Sequence, residues 1–355
     1  MKIVAPFTRT ALALAVVGLS AHALADAEFE RKVEQRLAKL EKQQTPKSGS
    51  ALGEKVQVSG LIEIEATWGE GYDDESYSDL TVATVELGIA AELNDKVDAE
   101  IVLLYEEDET ELDVDVATLS FENLVGPVDL LVGKQYLPFG RFETALVNDT
   151  LVLELAETNK TAALFGLEQD GFTVGAYLFD GSTDRENNVE NYGFTASFGQ
   201  DNFSLGFDYI SALTESDAIS ELVDPLLLES DDGAVSLSGS LSVDVITIVA
   251  EYMTAIDDIE FVGNTEFQPE AIQVEVDFAT NLGGQEYSFG FALQESDEAV
   301  ALGLPESRLS LGGSTSVYEN VSLAVEFWHD EDYSESDGGT GEKSNNVVVQ
   351  LAAEF

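Results

Sequence analysis

The sequence predicts an all-β fold, a transmembrane antiparallel β-barrel of about 16 strands preceded by a short α-helical coiled-coil segment. Three observations support this prediction. From residue 56 onward, apolar and polar residues alternate over long stretches, as in strands that face lipid on one side and water on the other. Tight turn signals alternate along the chain with long polar connections. The final alternating stretch ends on an aromatic residue, Phe355.

Residues 1–25 have the three parts of a secretory signal peptide. Lys2 and Arg9 form a basic region, residues 11–19 are apolar, and residues 23–25 read Ala-Leu-Ala, a small-residue cleavage site. The apolar run is shorter than the ~20 residues that a membrane-spanning helix needs. We therefore expect export with removal of this segment. The alternative, an N-terminal membrane anchor, has less support.

The charge of the chain excludes several classes of function. There are 16 Lys and Arg residues against 69 Asp and Glu residues, so nucleic-acid phosphates would be repelled. The chain has no cysteine, and one of its two histidines, His22, lies in the predicted signal peptide. Neither a G-x-S-x-G nor an H-E-x-x-H motif occurs. We therefore predict no enzyme, no catalytic residue and no cofactor.

Residues 26–44 predict a periplasmic helix. Phe29, Val33, Leu37 and Leu40 recur at helical spacing between charged residues. One helix cannot bury so narrow an apolar seam, which favours a coiled coil between protomers, such as a homotrimer. The alternative is a helix that lies against its own barrel, and both interpretations stay open. Residues 45–55 contain Pro, Ser and Gly and predict a linker.

Residues 56–355 predict the barrel itself. A soluble β-sandwich also alternates, but its connections do not separate into two length classes. Tight turns are predicted at 94–95, 126–127, 170–171, 201–202, 242–244, 283–284 and 319–320. Long connections are predicted at 69–79, 106–113, 136–158, 180–191, 213–232, 257–269, 295–307 and 329–343. Seven turns and eight long connections join 16 strands, and an even number is typical of outer-membrane barrels.

Several stretches together resemble a known family. They are the opening strand VSGLIEIEATWGEG, the segments TVATVELGIAAEL, LLYEEDE and VGKQYLPFGRFET, and the terminal strand. Over essentially the whole mature chain, this pattern resembles the siderophore porins of Gram-negative outer membranes, of the legiobactin-receptor type. The resemblance implies an outer-membrane barrel that takes up a ferric siderophore or another small polar solute by diffusion. It also implies that the barrel-assembly machinery reads Phe355.

The long connection 136–158 is predicted to narrow the pore. It follows the fifth strand, and by analogy with classical 16-stranded porins this third external loop folds inward. Arg141 is expected to face Glu143, Asp149, Glu154 or Glu157 across the pore, or alternatively to form an ion pair that holds the loop against the wall. Strand alternation places Lys134 on the lipid side at the outer rim. The predicted constriction comprises Arg141, Glu143, Asp149, Glu154, Glu157, Lys134, Tyr136, Phe139 and Phe142.

Strand alternation also predicts an acidic lumen. The lumen carboxylates would be Glu63, Glu65, Glu86, Asp98, Glu100, Asp208, Glu275, Asp277 and Glu326. In a water-filled pore such groups attract cations, whereas the simpler interpretation is that they only hydrate the lumen. The acidic external loops suit Ca²⁺ or Mg²⁺ bridges to lipopolysaccharide, but none matches a calcium-loop pattern, so no metal site is predicted.

A second class of function stays open alongside the channel. The chain could be a structural protein whose barrel is an outer-membrane anchor and whose helix at 26–44 tethers that membrane to the cell wall. Ionic current through the purified protein distinguishes the two.

Overall fold

Sixteen antiparallel strands form one closed barrel, which confirms the predicted fold class. The computed structural model describes residues 55–181, 189–222, 228, 233–261 and 265–355. The predicted signal peptide (1–25) and coiled-coil helix (26–44) lie outside the described residues, as does the linker 45–55 except for its last residue. Those three assignments stay predictions.

The barrel strands follow one another around the ring in chain order. They are β1 (Val56–Glu70), β2 (Ser76–Asn94), β3 (Val97–Glu106), β4 (Thr110–Val125), β5 (Val128–Tyr136), β6 (Asn159–Gln169), β7 (Phe172–Phe179), β8 (Asn191–Gln200), β9 (Phe203–Ile210), β10 (Ala234–Val243), β11 (Ile246–Ala255), β14 (Glu270–Leu282), β15 (Gln285–Asp297), β16 (Ser307–Tyr318), β17 (Val321–Glu331) and β18 (Lys343–Glu354). β12 (Ile259–Phe261) and β13 (Thr265–Phe267) form a separate hairpin, so β11 pairs directly with β14.

Among the described residues, helical segments are short and occur only in the connections between strands. They are the α-helices Leu151–Ala156 and Asp217–Leu222 and the 3₁₀-helices Leu213–Glu215 and Val300–Leu302. None of the helices in the described part of the chain is long and apolar enough to span a membrane.

The seven short turns lie at the predicted sites, all at one end of the barrel, here called the turn end. The other end, the loop end, carries the longer connections. The predicted bounds of two long connections, 69–79 and 106–113, are wrong, because both connections are shorter than predicted. β1 reaches Glu70 and β2 begins at Ser76, while β3 ends at Glu106 and β4 begins at Thr110. These polar residues stay in strands because neighbouring backbones satisfy their hydrogen bonds, as in the pairing of Thr67 with Asp79.

The two faces of the wall have opposite chemistry. On β1, Ile62 and Ile64 point outward and are 38% and 40% exposed, whereas Glu63 and Glu65 point inward and are buried. The same alternation holds on β14, where Val274 is exposed and Glu275 is fully buried. An apolar outer band around a polar interior is the pattern of a barrel surrounded by lipid.

The first and last strands close the ring. β1 pairs with β18, and beyond β18 the backbones of Gly60 and Phe355 exchange two hydrogen bonds of 2.8 and 3.0 Å. The Phe355 ring lies over Gly60, where an added Cβ would clash with the ring carbon Cζ. Glycine at position 60 therefore makes room for the terminal ring.

Candidate functional site in the barrel lumen

Residues 137–158, here called the lumen loop, leave β5 and fold into the barrel. Pro138 has no N–H with which to continue the strand ladder. The backbone then turns through two left-handed residues, Gly140 (φ 94°) and Phe142 (φ 57°). At the base of the loop, the Leu137 N–H donates to the Thr158 carbonyl over 2.8 Å. Pro138, Gly140 and Phe142 therefore turn the chain away from the barrel wall.

Glu251 on β11 fixes the turn. Its Oε1 accepts the Arg141 backbone N–H and its Oε2 accepts the Phe142 N–H, each over 2.7 Å. The Ser236 hydroxyl donates to Oε1 over 2.8 Å. Glu251 is 2% exposed, so these charge-assisted bonds are shielded from water. Sequence reasoning missed Glu251, although it is the only charged residue in the otherwise apolar and neutral strand β11.

The same arrangement recurs along the wall. Glu275 on β14, Gln294 on β15 and Glu326 on β17 also accept hydrogen bonds from the lumen loop. The donors are Thr144 Oγ1 and the Ala145 N–H to Glu275 (2.7 Å each), the Leu151 N–H to Gln294 (2.7 Å), and the Val147 and Asn148 N–H groups to Glu326 (2.7 and 2.8 Å). We call Asp208, Glu251, Glu275, Gln294 and Glu326 the anchoring residues. They hold the loop across one side of the lumen.

Arg141 forms its ion pair with the barrel wall. Its Nη2 lies 3.1 Å from Asp208 Oδ1 on β9 and donates to Thr195 Oγ1 over 3.0 Å. Asp208 also accepts the Gly140 N–H over 3.3 Å. The ion-pair partner of Arg141 is thus the wall carboxylate Asp208 and not Glu143, Asp149, Glu154 or Glu157 of the loop. The alternative, an ion pair that holds the loop against the wall, matches the geometry.

Arg308 on β16 is a second basic residue of the lumen, and sequence reasoning missed it. Its guanidinium contacts Asp330 on β17 over 2.9 Å and Glu154 of the lumen loop over 2.9 Å. Glu154 belongs to the helix Leu151–Ala156, whose N-cap Thr150 accepts the Leu153 N–H over 3.0 Å. Arg308 thus joins the loop helix to the wall.

Two further acidic residues of the predicted constriction lie in the lumen loop. Burial raises the pKa of Glu143 to about 7, with a further increase from nearby Glu251 and an opposing effect from Arg141. Burial also raises the pKa of Asp149 well above its usual range, and Glu157 and other nearby carboxylates add to the effect.

The remaining predicted constriction residues lie outside the lumen loop or in its apolar part. Lys134 alternates with the buried Gln135 on β5, and its ammonium donates to the Val114 carbonyl over 2.6 Å and contacts Asp113 over 3.5 Å. The Tyr136 hydroxyl donates to Asp115 over 2.9 Å. Both residues therefore lie at the rim of the loop end. Phe139 is 1% exposed, and Phe142 packs against the same apolar cluster.

This apolar cluster fills part of the loop end of the lumen. The lumen loop, the segment 211–222 and the connection 298–306 all contribute to it. Its members include Leu137, Phe139, Leu151, Leu155, Leu213, Ile219 and Leu304, together with wall residues such as Tyr177, Phe179 and Met253. Beside it, Lys160 on β6 pairs with the buried Glu215 over 3.1 Å. The interior is narrowed by several connections rather than by residues 136–158 alone.

The predicted lumen carboxylates separate into two groups. Asp208, Glu275 and Glu326 anchor the loop, and Asp277 is the next lumen-facing residue to Glu275 on β14. Glu63, Glu65, Glu86, Asp98 and Glu100 lie on β1 to β3, on a part of the wall that supplies none of the anchoring residues. Two cavities lie along the wall between β1 and β6. One of about 410 Å³ is lined by Asp98 and Glu100, and one of about 210 Å³ is lined by Glu106 and Asp115.

Comparison with known proteins supports the same architecture. The Acinetobacter baumannii outer-membrane channel DcaP superposes with a TM-score of 0.62 at 14% identity, covering 84% of this chain and 97% of DcaP. The anion-selective porin of Comamonas acidovorans gives a TM-score of 0.60 at 12% identity, covering 84% and 99%. The fold is that of an outer-membrane porin. With the apolar outer band, this likeness supports the predicted location in the outer membrane.

Sequence comparison identifies related proteins, but their names indicate no ligand. A UPF0422 protein of Coxiella burnetii is 24% identical over 324 residues, covering 85% of this chain and 69% of that protein. A UPF0422 protein of Legionella pneumophila strain Lens is 24% identical over 352 residues, covering 84% of this chain and 66% of that protein. The chain thus spans about two thirds of the length of these relatives. No protein-family model matches the sequence.

Proposed function

We propose that the protein is an outer-membrane diffusion channel that prefers small cations and cationic polar solutes. The distribution of lumen charge carries this proposal. Arg141, Lys160 and Arg308 are each paired with a carboxylate. The wall formed by β1 to β3 presents Glu63, Glu65, Glu86, Asp98 and Glu100, all of which strand alternation directs inward. Excess carboxylates along a narrow aqueous path attract cations and repel anions.

The anchoring of the lumen loop supports a passage of fixed width. Buried carboxylates that accept backbone N–H groups resist displacement, because a loop that moves away leaves those charges without their donors. The loop therefore acts as part of the wall rather than as a mobile lid. The Comamonas porin is anion-selective, and we propose the opposite preference here because the lumen charge is negative.

A ferric siderophore is the more specific solute that we propose. Its support is the resemblance of VGKQYLPFGRFET and the neighbouring strands to siderophore porins. Under this proposal, the predicted partners are outer-membrane lipid and lipopolysaccharide, the assembly machinery through Phe355, and the other subunits of a homotrimer. The structural anchor is the alternative function, and it requires no ionic current.

Ionic current in a planar bilayer tests these proposals. We expect stepwise conductance and, across a KCl gradient, a reversal potential of the sign given by a cation-selective pore. Block of the current by one ferric siderophore and not by its iron-free form would support siderophore uptake. Conductance indifferent to every chelate would leave a general cation-preferring porin. Absence of conductance from correctly folded protein would remove the channel and favour the anchor.

A further inference from the structure

Two glycines of the barrel wall lie directly opposite each other beneath the lumen loop. Gly290 on β15 pairs with Gly312 on β16. In the same row across the wall, Asp277 on β14 pairs with Gly290, and Glu326 on β17 pairs with Gly312. Cross-strand partners share one face of a sheet, so both glycines face the lumen, as Glu326 does. The centre of this row therefore carries no side chain.

Leu146 of the lumen loop occupies the space above these two glycines. A Cβ added to Gly290 would lie 2.9 Å from Leu146 Cδ2, and one added to Gly312 would lie 2.7 Å from the same atom. Carbon atoms in contact are ordinarily about 3.5–4.0 Å apart, so neither position has room for a methyl group. Glycine weakens the interior of a strand and often marks a close approach by another part of the molecule, as it does here. We call Gly290 and Gly312 the glycine seat.

The backbone on both sides of Leu146 is fixed to the wall. The Ala145 N–H donates to Glu275 over 2.7 Å, and the Val147 N–H donates to Glu326 over 2.7 Å. These two bonds to carboxylates keep the loop backbone at a set distance from the wall. A Leu146 side chain that is displaced from the glycine seat must therefore move away from the wall, toward the passage.

We propose that the glycine seat keeps Leu146 against the wall and thereby sets the largest solute that passes the lumen loop. Gly290 and Gly312 act through Leu146 and are positioning residues for permeation. The aliphatic side chain fills the seat, and the aqueous path beside it stays open. This inference rests on the proposed function, since it requires that solutes pass through the lumen. It adds to that function a limit on solute size that is independent of charge.

Single-channel conductance of the folded barrel in planar bilayers tests the seat, with potassium chloride as the electrolyte. G290A and G312A should each lower the conductance, because the added methyl group displaces Leu146 Cδ2 by about 1 Å. L146A should abolish this loss, so that G290A/L146A and G312A/L146A conduct as L146A does. The matched control is S314T, which adds a methyl group at the next lumen-facing position of β16 and should conduct as the wild type does.

Heat-dependent migration on SDS gels verifies that each variant is folded. The nearest atoms to the methyl group of G290A are side-chain atoms of Leu146 and Asp277, so this variant leaves the wall backbone in place if G312A fails to fold. Urea unfolding in detergent gives a second measurement, which needs no current. Each glycine substitution should lower the unfolding midpoint through overpacking, and neither should do so in the L146A background.

Two results would overturn the inference and leave the channel. They are equal conductance in the wild type and in folded G290A and G312A, and a loss of conductance that persists when Leu146 is replaced by Ala. Reversal potentials on the same preparations separate this inference from the proposed function, because neither glycine substitution changes a charge. Conductance losses that L146A abolishes, in a barrel without cation preference, support the seat and remove that preference. Coupled unfolding midpoints without any ionic current remove the channel and with it the size limit.

Discussion

Replacing Glu251 by Gln tests whether the anchoring residues hold the lumen loop. The two carboxylate oxygens of Glu251 accept different N–H groups, those of Arg141 and Phe142. A glutamine has one acceptor oxygen, so one of the two hydrogen bonds is lost and its N–H faces an amide donor. A hydrogen bond to a charged group contributes about 1.5–3 kcal/mol, so the loop should open about 10 to 150 times more often in E251Q.

Hydrogen–deuterium exchange read by mass spectrometry measures this opening directly. In peptides that contain Arg141 and Phe142, we expect amide exchange to accelerate by that same factor, because exchange follows the population of the opened loop. Peptides from β1 and β18 should exchange as in the wild type. E295Q is the matched control, since Glu295 is an exposed carboxylate on β15 that holds no part of the loop. Unchanged exchange in folded E251Q would refute the anchoring by Glu251.

The remaining predictions concern charge, stability and closure. Because burial raises the pKa of Glu143 to about 7, cation selectivity should increase from pH 5 to pH 8 as this group ionises, and a flat profile of reversal potential against pH would contradict this. The folded chain holds this proton more tightly than the unfolded chain, so the contribution of Glu143 to stability should fall as pH rises from about 4.5 toward 7. R308A leaves the carboxylates of Asp330 and Glu154 unpaired and should cost about 3–5 kcal/mol, seen as a lower midpoint of urea unfolding in detergent; an equal midpoint would argue against it. G60A should lower the refolding yield in liposomes because its methyl group meets the Phe355 ring, and combination with F355A should restore the yield if that contact is the cause.

The barrel could be predicted from the sequence because its main signal is local. Alternation of apolar and polar residues, as along Ile62, Glu63, Ile64 and Glu65, needs only neighbouring residues to give both the strand and its faces. The turn signals are local too, so the number of strands could also be predicted. The bounds of the first two long connections, 69–79 and 106–113, are wrong because polar composition predicts a loop, whereas hydrogen bonding between strands does not depend on apolar side chains.

The interior could be predicted only in part. Glu275 and Glu326 were placed in the lumen by alternation, but the sequence did not show that they bind the loop, whose donors are 130 and 179 positions away in the chain. Glu251 and Arg308 were missed for a related reason. Their roles depend on the height along the barrel wall at which the loop makes contact. Strand register and the bend at Pro138 and Gly140 set that height.

The separation between the lumen loop and its anchoring residues has a consequence for the order of assembly. The loop joins β5 to β6, whereas its anchoring residues lie on β9, β11, β14, β15 and β17, all of which come later in the chain. A partly formed barrel that lacks these strands also lacks the anchoring residues that hold residues 137–158 in place. The passage therefore takes its final width only when the C-terminal half has joined the ring. Substitutions in that half can alter permeation without touching the loop itself.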